Sequence, residues 1–213
     1  DLVRERAATA LAQIGDSRAI PALIDAIDDS GTWARNRLIY VLGASKAAEA
    51  VEPLIVQLDH DDFSTQGVAA WALGAIGDTR ALSPLRDLLK RNNASVRGNA
   101  AYALGELGQV ETVSLLLDLL NDKSAEVRGK TAWALGNLSE QTGNTDMVEP
   151  LIALLDDYAE ISNESAHLFV CQYAAEALTQ IHTPQALAAV ESWRPTAREK
   201  LLPRRIADLI RAL

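Results

Sequence analysis

Ala69-Ala70-Trp71-Ala72-Leu73-Gly74-Ala75-Ile76-Gly77-Asp78 decides how this chain folds, because the chain writes it repeatedly. Stepping 31 residues back from Leu73 reaches Leu42, and the same step again reaches Leu11; forward, it reaches Leu104 and then Leu135. The surrounding words match: Ala-Ala-Thr-Ala-Leu-Ala-Gln-Ile-Gly-Asp at 7–16, Ala-Ala-Tyr-Ala-Leu-Gly-Glu-Leu-Gly at 100–108 and Thr-Ala-Trp-Ala-Leu-Gly-Asn-Leu at 131–138. A word returning at a fixed spacing of about 20–50 residues marks an array of units that bury their apolar faces against one another.

Working outward, each unit reads as two helices. The first is short and opens near a proline, as in Ile20-Pro21-Ala22-Leu23-Ile24-Asp25 and Val51-Glu52-Pro53-Leu54-Ile55-Val56. Proline is tolerated in a first turn because the amide it lacks has no partner there. Leu23, Leu54, Leu85 and Leu116 keep the 31-residue step. A polar corner follows, at Asp28-Asp29-Ser30, Asp59-His60-Asp61-Asp62, Asn92-Asn93 and Asn121-Asp122, residue types that cap helix starts. The second helix carries Val-Arg-x-x-Ala-Ala-x-Ala-Leu-Gly, as in Val96 through Gly105, and stops at a glycine such as Gly15, Gly77 or Gly108.

This predicts an all-α solenoid forming one domain, with units of about 1–29, 30–62, 63–93, 94–123, 124–157 and 158–194 and a C-terminal cap over 195–213. Pro203 is expected to split the cap, with Ile206, Leu209, Ile210 and Leu213 on one face. The step breaks twice. Ser139–Met147 carries about four extra residues and Asp156–Leu168 about eight. Inserts in solenoids map to one face and are often the binding elements, the alternative being a loop drift that does no harm. The chain opens at Asp1 without Met and in mid-repeat, as a trimmed piece of a longer protein would.

The composition narrows the function. A net charge of -9 argues against nucleic acid as the main ligand, since a phosphate backbone calls for a basic stripe. The apolar runs are too short for membrane insertion. A single cysteine, Cys171, rules out an intramolecular disulfide and fits a cytoplasmic, reducing setting.

The Val-Arg-x-x-Ala-Ala-x-Ala-Leu-Gly-x-Ile-Gly-Asp words, and the Arg-Ala-Ile-Pro-Ala-Leu or Arg-Ala-Leu-Ser-Pro-Leu that follows them, resemble HEAT repeats. The likeness is to the short form, about 31 residues long, found in phycobilin lyases of the E/F type, and it covers nearly the whole chain. It implies a right-handed superhelix whose second helices line the concave side. It also implies a phycobilin as ligand, a phycobiliprotein subunit or a second HEAT-repeat subunit as partner, and a cyanobacterial or algal host.

At about 100° per residue, Ala69, Ala70 and Ile76 fall within about 60° of Leu73 and define the buried side of the second helix, while Trp71 falls at about 160°. The same position holds Tyr40, Tyr102 and Trp133, with Trp33, Phe169 and Tyr173 near it. Aromatics make up only 5% of the chain, yet these seven project from the face the core does not need. By the resemblance they line the concave groove, one rung per repeat, and Trp and Tyr are the usual anchors of binding hot spots; the alternative is that each ring packs on the neighbouring second helix, copied by repeat duplication. Gly67, Gly98 and Gly129 lie four residues before a rung and are expected to open space beside the rings, since glycine there costs about 1 kcal/mol of helix propensity. Arg6, Arg37 and Lys130 flank the face and can pair with carboxylates, including bilin propionates. Arg4, Arg35, Arg97 and Arg128 point toward the neighbouring repeat, where a structural ladder with the corner aspartates is expected.

Metal and nucleophile chemistry find little support. His60, His167 and His182 have no regular spacing, no His-Glu dipeptide occurs, and Cys171 falls on the core side of its helix. No catalytic residue, metal site or cofactor is read from the residues. Two functions remain open. One is a scaffold or chaperone holding a partner protein in an aromatic-lined concave groove. The other, implied by the resemblance, is a phycobilin lyase-type subunit or related phycobilisome factor, acting alone or with a partner subunit.

Overall fold

The computed structural model describes residues 17–28, 30–161 and 168–211, together with Arg6 and Ala10. Arg4, His167 and the repeat word at 7–16 apart from Ala10 lie outside the described residues. So do Leu213 and the side chains of Ile206, Leu209 and Ile210. The fold is an all-α solenoid of the expected kind, in which a short helix, a corner and a long helix alternate. It divides into two compact units, residues 1–112 and 113–213.

In the first unit the short helices are α1 (Ile20–Asp25), α3 (Val51–Gln57) and α5 (Leu82–Leu88). The long ones are α2 (Thr32–Ala44), α4 (Phe63–Ile76) and α6 (Ala94–Leu107). Leu42, Leu73 and Leu104 of the long helices and Leu54 and Leu85 of the short ones are fully buried, so the 31-residue leucine step is the core itself. Burying each contributes about 1.5–3 kcal/mol relative to leaving it in water. Two of the corners act as read, while α2 starts after Gly31 without a side-chain cap. Asp62 accepts from the Thr65 amide at 2.9 Å to cap α4, and Asn93 accepts from Val96 at 3.1 Å to cap α6. Gly77 closes α4 at φ +80.

The glycine of Ala-Leu-Gly serves packing. A Cβ on Gly43 would lie 2.6 Å from the Ala72 Cα, and one on Gly74 would lie 2.7 Å from the Ala103 Cα. Successive long helices therefore touch backbone to backbone, glycine against the alanine that precedes the next leucine. That close approach sets where the outward rings of neighbouring helices meet.

The second unit holds α7 (Val113–Leu119), α8 (Ala125–Thr142), α9 (Val148–Ala153), β1 (Glu160–Ile161), β2 (Leu168–Phe169), α10 (Val170–Ile181) and α11 (Pro184–Arg211). Here too Gly136 faces Ala177, where an added Cβ would sit 2.7 Å from the Cα. The extra residues at 139–147 lengthen α8 by a turn before Gly143 stops it at φ +70. The insert at 156–168 forms a two-residue antiparallel ladder, Glu160 with Phe169 and Ile161 with Leu168.

Two expectations are corrected in this unit. Pro203 does not split the cap, because α11 runs unbroken from Pro184 through both Pro195 and Pro203 to Arg211. Proline removes one i→i−4 bond, but its fixed φ is itself helical, so flanking turns carry the helix through. The boundary expected at 194–195 accordingly falls inside this helix. Phe169, expected on the outward face of its helix, is 1% exposed and packs with Cys171, Ala197 and Leu201. The wheel extended one residue too far: α10 begins at Val170, and Phe169 belongs to β2.

Candidate functional site

The outward face of α2 and α4 brings the first two expected rungs together. The Tyr40 and Trp71 rings stack with centroids 4.7 Å apart and planes 8° from parallel. The repeat length dictates the pairing, since the rings stand 31 residues apart on helices that touch at Gly43, whose added Cβ would lie 3.1 Å from Trp71 Cζ3. Such a pair contributes about 0.5–1.5 kcal/mol beyond the area it buries. Tyr40 remains 47% exposed, and Trp33, at the start of α2, is 68% exposed. The Arg37 guanidinium carbon lies 5.9 Å from the Tyr40 ring centroid, within cation–π range, and Arg37 forms no ion pair among the described residues.

Beside this pair is an open groove of about 420 Å³, with Phe63, Gly67 and Trp71 along α4 and Ser95 and Asn99 on α6. Gly67 keeps the groove open, but not as empty space: a Cβ there would overlap Asn99 Nδ2. Phe63, 56% exposed, went unremarked in the sequence. The signal was present, for 63, 67 and 71 form an i, i+4, i+8 stripe along one helix face.

The other expected site residues are not among those lining this groove. Tyr102 on α6 is half-buried, and burial, with Glu106 nearby, raises its pKa. Trp133 on α8 is half-buried as well. Lys130 is held by Glu126 at 2.8 Å, one turn earlier on α8. Tyr173 is half-buried, its pKa raised first by burial and then by Glu176 and Glu126. The groove position in this unit is occupied: a Cβ on Gly129 would overlap Ile161 Cδ1 and lie 3.2 Å from Tyr173 Cδ2. Ile161 belongs to the 156–168 insert, which therefore packs onto α8. Arg6 is exposed.

The inward arginines do structural work, though largely through carbonyls. Arg35 donates to the carbonyls of Ile27 and Asp28 at 3.1 and 3.2 Å, and Arg97 to those of Arg91 and Asn92 at 2.9 Å each. They thereby satisfy the free carbonyls where a short helix ends. Arg128 adds a carboxylate, Asp157 Oδ2 at 2.6 Å, to the Asp122 carbonyl at 2.7 Å.

A larger concavity of about 560 Å³ lies between α1 and α3, lined by Asp25, Asp28, Glu52 and Val56 among others. Two of its carboxylates are engaged within the fold: Asp28 accepts from Gln57 at 3.0 Å, and Glu52 pairs with Arg80 at 3.2 Å. Among the described residues no group of three or more His, Cys, Asp or Glu could hold a metal ion, and Cys171 is fully buried. No helix of the described residues is long and apolar enough to cross a membrane.

The family model for HEAT repeats matches residues 32–97 and 88–167. The chain belongs to the HEAT-repeat family. A second model, the PBS lyase HEAT-like repeat, matches residues 3–29. Among curated proteins none matches significantly. This HEAT-repeat chain is similar in structure to the complex of CpcE and CpcF of phycocyanin lyase from Nostoc sp. PCC7120, at 23% identity and TM-score 0.63 over 94% of this chain and 82% of that one. A designed armadillo repeat protein in complex with the peptide (KR)4 gives 22% and 0.55 over 83% and 92%. Importin beta gives 18% and 0.52 over 82% of this chain and 25% of its own. At these identities the likeness is one of fold.

Proposed function

We propose that this HEAT-repeat protein is a binding scaffold that grips a partner protein through the outward face of α2 and α4. The observation that carries this reading is the stacked Tyr40–Trp71 pair beside an open groove. Large aromatic surface left in water, when the leucines of the 31-residue step in the same chain are buried, is the signature of an interaction site. Arg37, above the Tyr40 ring, supplies a charge for orientation.

The test is capture from the native host with cross-linking and mass spectrometry, comparing wild type with Tyr40→Ser/Phe63→Ser. Both side chains are about half exposed, so the variant should keep its helical circular dichroism while losing its partner. Capture unchanged in the variant would remove this face from consideration.

A second reading is favoured by the PBS lyase HEAT-like match at 3–29 and by the likeness to the CpcE and CpcF complex. In it the chain handles a bilin on a phycobiliprotein, as one subunit of a lyase or a related factor. Its share of the chemistry would be positioning the tetrapyrrole beside the acceptor thiol rather than acid–base catalysis. Adding phycocyanobilin to the purified chain distinguishes the readings. A shifted, tightened visible band lost in the Tyr40→Ser/Phe63→Ser variant supports the second, and an unchanged bilin spectrum leaves the first.

A further inference from the structure

The second unit carries its own version of the groove, already filled, and the filling is a template for what the first unit binds. The leucine register makes the correspondence residue by residue. Gly67 and Trp71 of α4 answer to Gly129 and Trp133 of α8, each pair standing six and two residues before Leu73 or Leu135. On the following long helix, Ser95 and Asn99 stand nine and five residues before Leu104, as Phe169 and Tyr173 stand before Leu178. Phe169 is buried in β2, so the ring that counts is Tyr173: where the second unit has it, the first has the small polar Asn99 and an open groove of about 420 Å³. Where the end of the Asn99 side chain faces Gly67 in the first unit, the second has Ile161, 8% exposed, set against Gly129 from an extended strand.

From this juxtaposition we infer that the groove beside Gly67 receives an extended segment of a partner protein, with a branched aliphatic side chain seated in the groove and acidic residues beside it. The inference rests on the reading of this face as a binding site. The chain's own insert supplies the chemistry, for Ile161 closes the run Asp156-Asp157-Tyr158-Ala159-Glu160. The rim of the open groove complements an acidic segment. Arg37 is the charged side chain above Tyr40, and no carboxylate lines the groove. A basic segment would set a second cation beside Arg37, so charge selects against it.

The probe is a fluorescently labelled, capped peptide with the sequence of residues 154–161, titrated into the full chain and followed by anisotropy at low and at physiological salt. Saturable binding is expected. Lysine in place of the peptide's isoleucine should weaken it about tenfold or more, because a buried aliphatic side chain is lost. Asn99→Tyr in the chain, which installs the ring the second unit uses, should weaken it to a similar degree. Arg37→Glu should weaken it chiefly at low salt. If Asn99→Tyr does not fold, Ser95→Phe places a ring in the groove lining at an exposed position. No saturable binding, binding indifferent to the ring-bearing variants, or equal affinity for the lysine peptide would each overturn the inference. Self-association of the chain that the peptide competes away would make the occupant a second copy and overturn the foreign partner. If the peptide fails while Tyr40→Ser/Phe63→Ser still loses its host partner, the binding face stands and only this occupant falls.

Discussion

The faces of α4 and α8 are built from nearly the same word and have opposite fates. Each places a glycine four residues before an outward tryptophan, and each ends Ala-Leu-Gly on the alanine of the next long helix. Beside Gly67 the neighbour is Asn99 and the groove is open; beside Gly129 the neighbours are Tyr173 and Ile161 and the groove is filled. Repetition fixes the scaffold, so the inward glycines are interchangeable between the units. What stands outward depends on one or two side chains of the next helix and on whether an insert folds back. The difference teaches that a repeated glycine carries two meanings, one set by the helix spacing and the other by its occupant.

The largest effect should come where the faces agree. Gly74→Leu and Gly136→Leu each drive a side chain into the backbone of the facing helix, at Ala103 and Ala177, which can yield only by separating the helices. Each should cost about 3 kcal/mol or more, read from urea midpoints. A small cost at either would mean that the long helices do not touch there.

The outward glycines should then part company. Gly129→Ala meets Ile161 Cδ1 and the Tyr173 ring, so a loss of about 1–3 kcal/mol is expected. Gly67→Ala meets only the end of the Asn99 side chain, which can swing aside, and it gains up to about 1 kcal/mol of helix propensity. It should be neutral or stabilising. Equal costs at the two sites would erase the distinction between filled and open grooves.

These contrasts also show what could be read from the residues. The 31-residue leucine step gave the core directly, because a residue buried in every unit repeats exactly as the helix packing does. The same step put Tyr40 and Trp71 at one register position, and their stack is the ring-on-helix packing that stood as the alternative to an open ladder. The filled groove was hidden, because nothing in Asp156–Leu168 says toward which helix an extended insert turns back. Phe169 was misplaced for a related reason: a helical wheel is valid only inside the helix, and the insert takes the chain up to Val170. The arginine set was half legible. Its direction came from the wheel, but a carbonyl at a helix end is invisible to residue type, so aspartates were expected where backbone accepts.

A smaller effect tests whether the open face is held together by its own rings. In a double-mutant cycle of Tyr40→Leu and Trp71→Leu, the stack should give a coupling of about 0.5–1.5 kcal/mol by thermal or urea melts. The singles also report packing, since Trp71 lies over Gly43, so only the coupling isolates the ring pair. No coupling would mean that the rings stand near each other without holding the face.

The smallest effect separates the two faces by pH. At the start of α4, Asp62 accepts from the Ser64 hydroxyl and from the Thr65 amide and hydroxyl, and these bonds lower its pKa from 3.8 to about 2 against the opposing effect of burial. At the start of α8 the same register holds Ser124, which makes no side-chain cap and carries no charge to lose. A carboxyl whose folded pKa is depressed lends stability that is complete above its unfolded value and fades as pH falls through the folded one. The first turn of α4 should therefore loosen between about pH 4 and pH 2, whereas at α8 no N-cap carboxylate contributes such a loss. The Thr65 amide shift, followed by NMR, should titrate near the low value in wild type and lie flat in Asp62→Asn, where asparagine keeps the cap. A Thr65 titration centred at 3.8 would show that the carboxylate is not held by the helix start, and the acid response would then no longer distinguish the open face from the filled one.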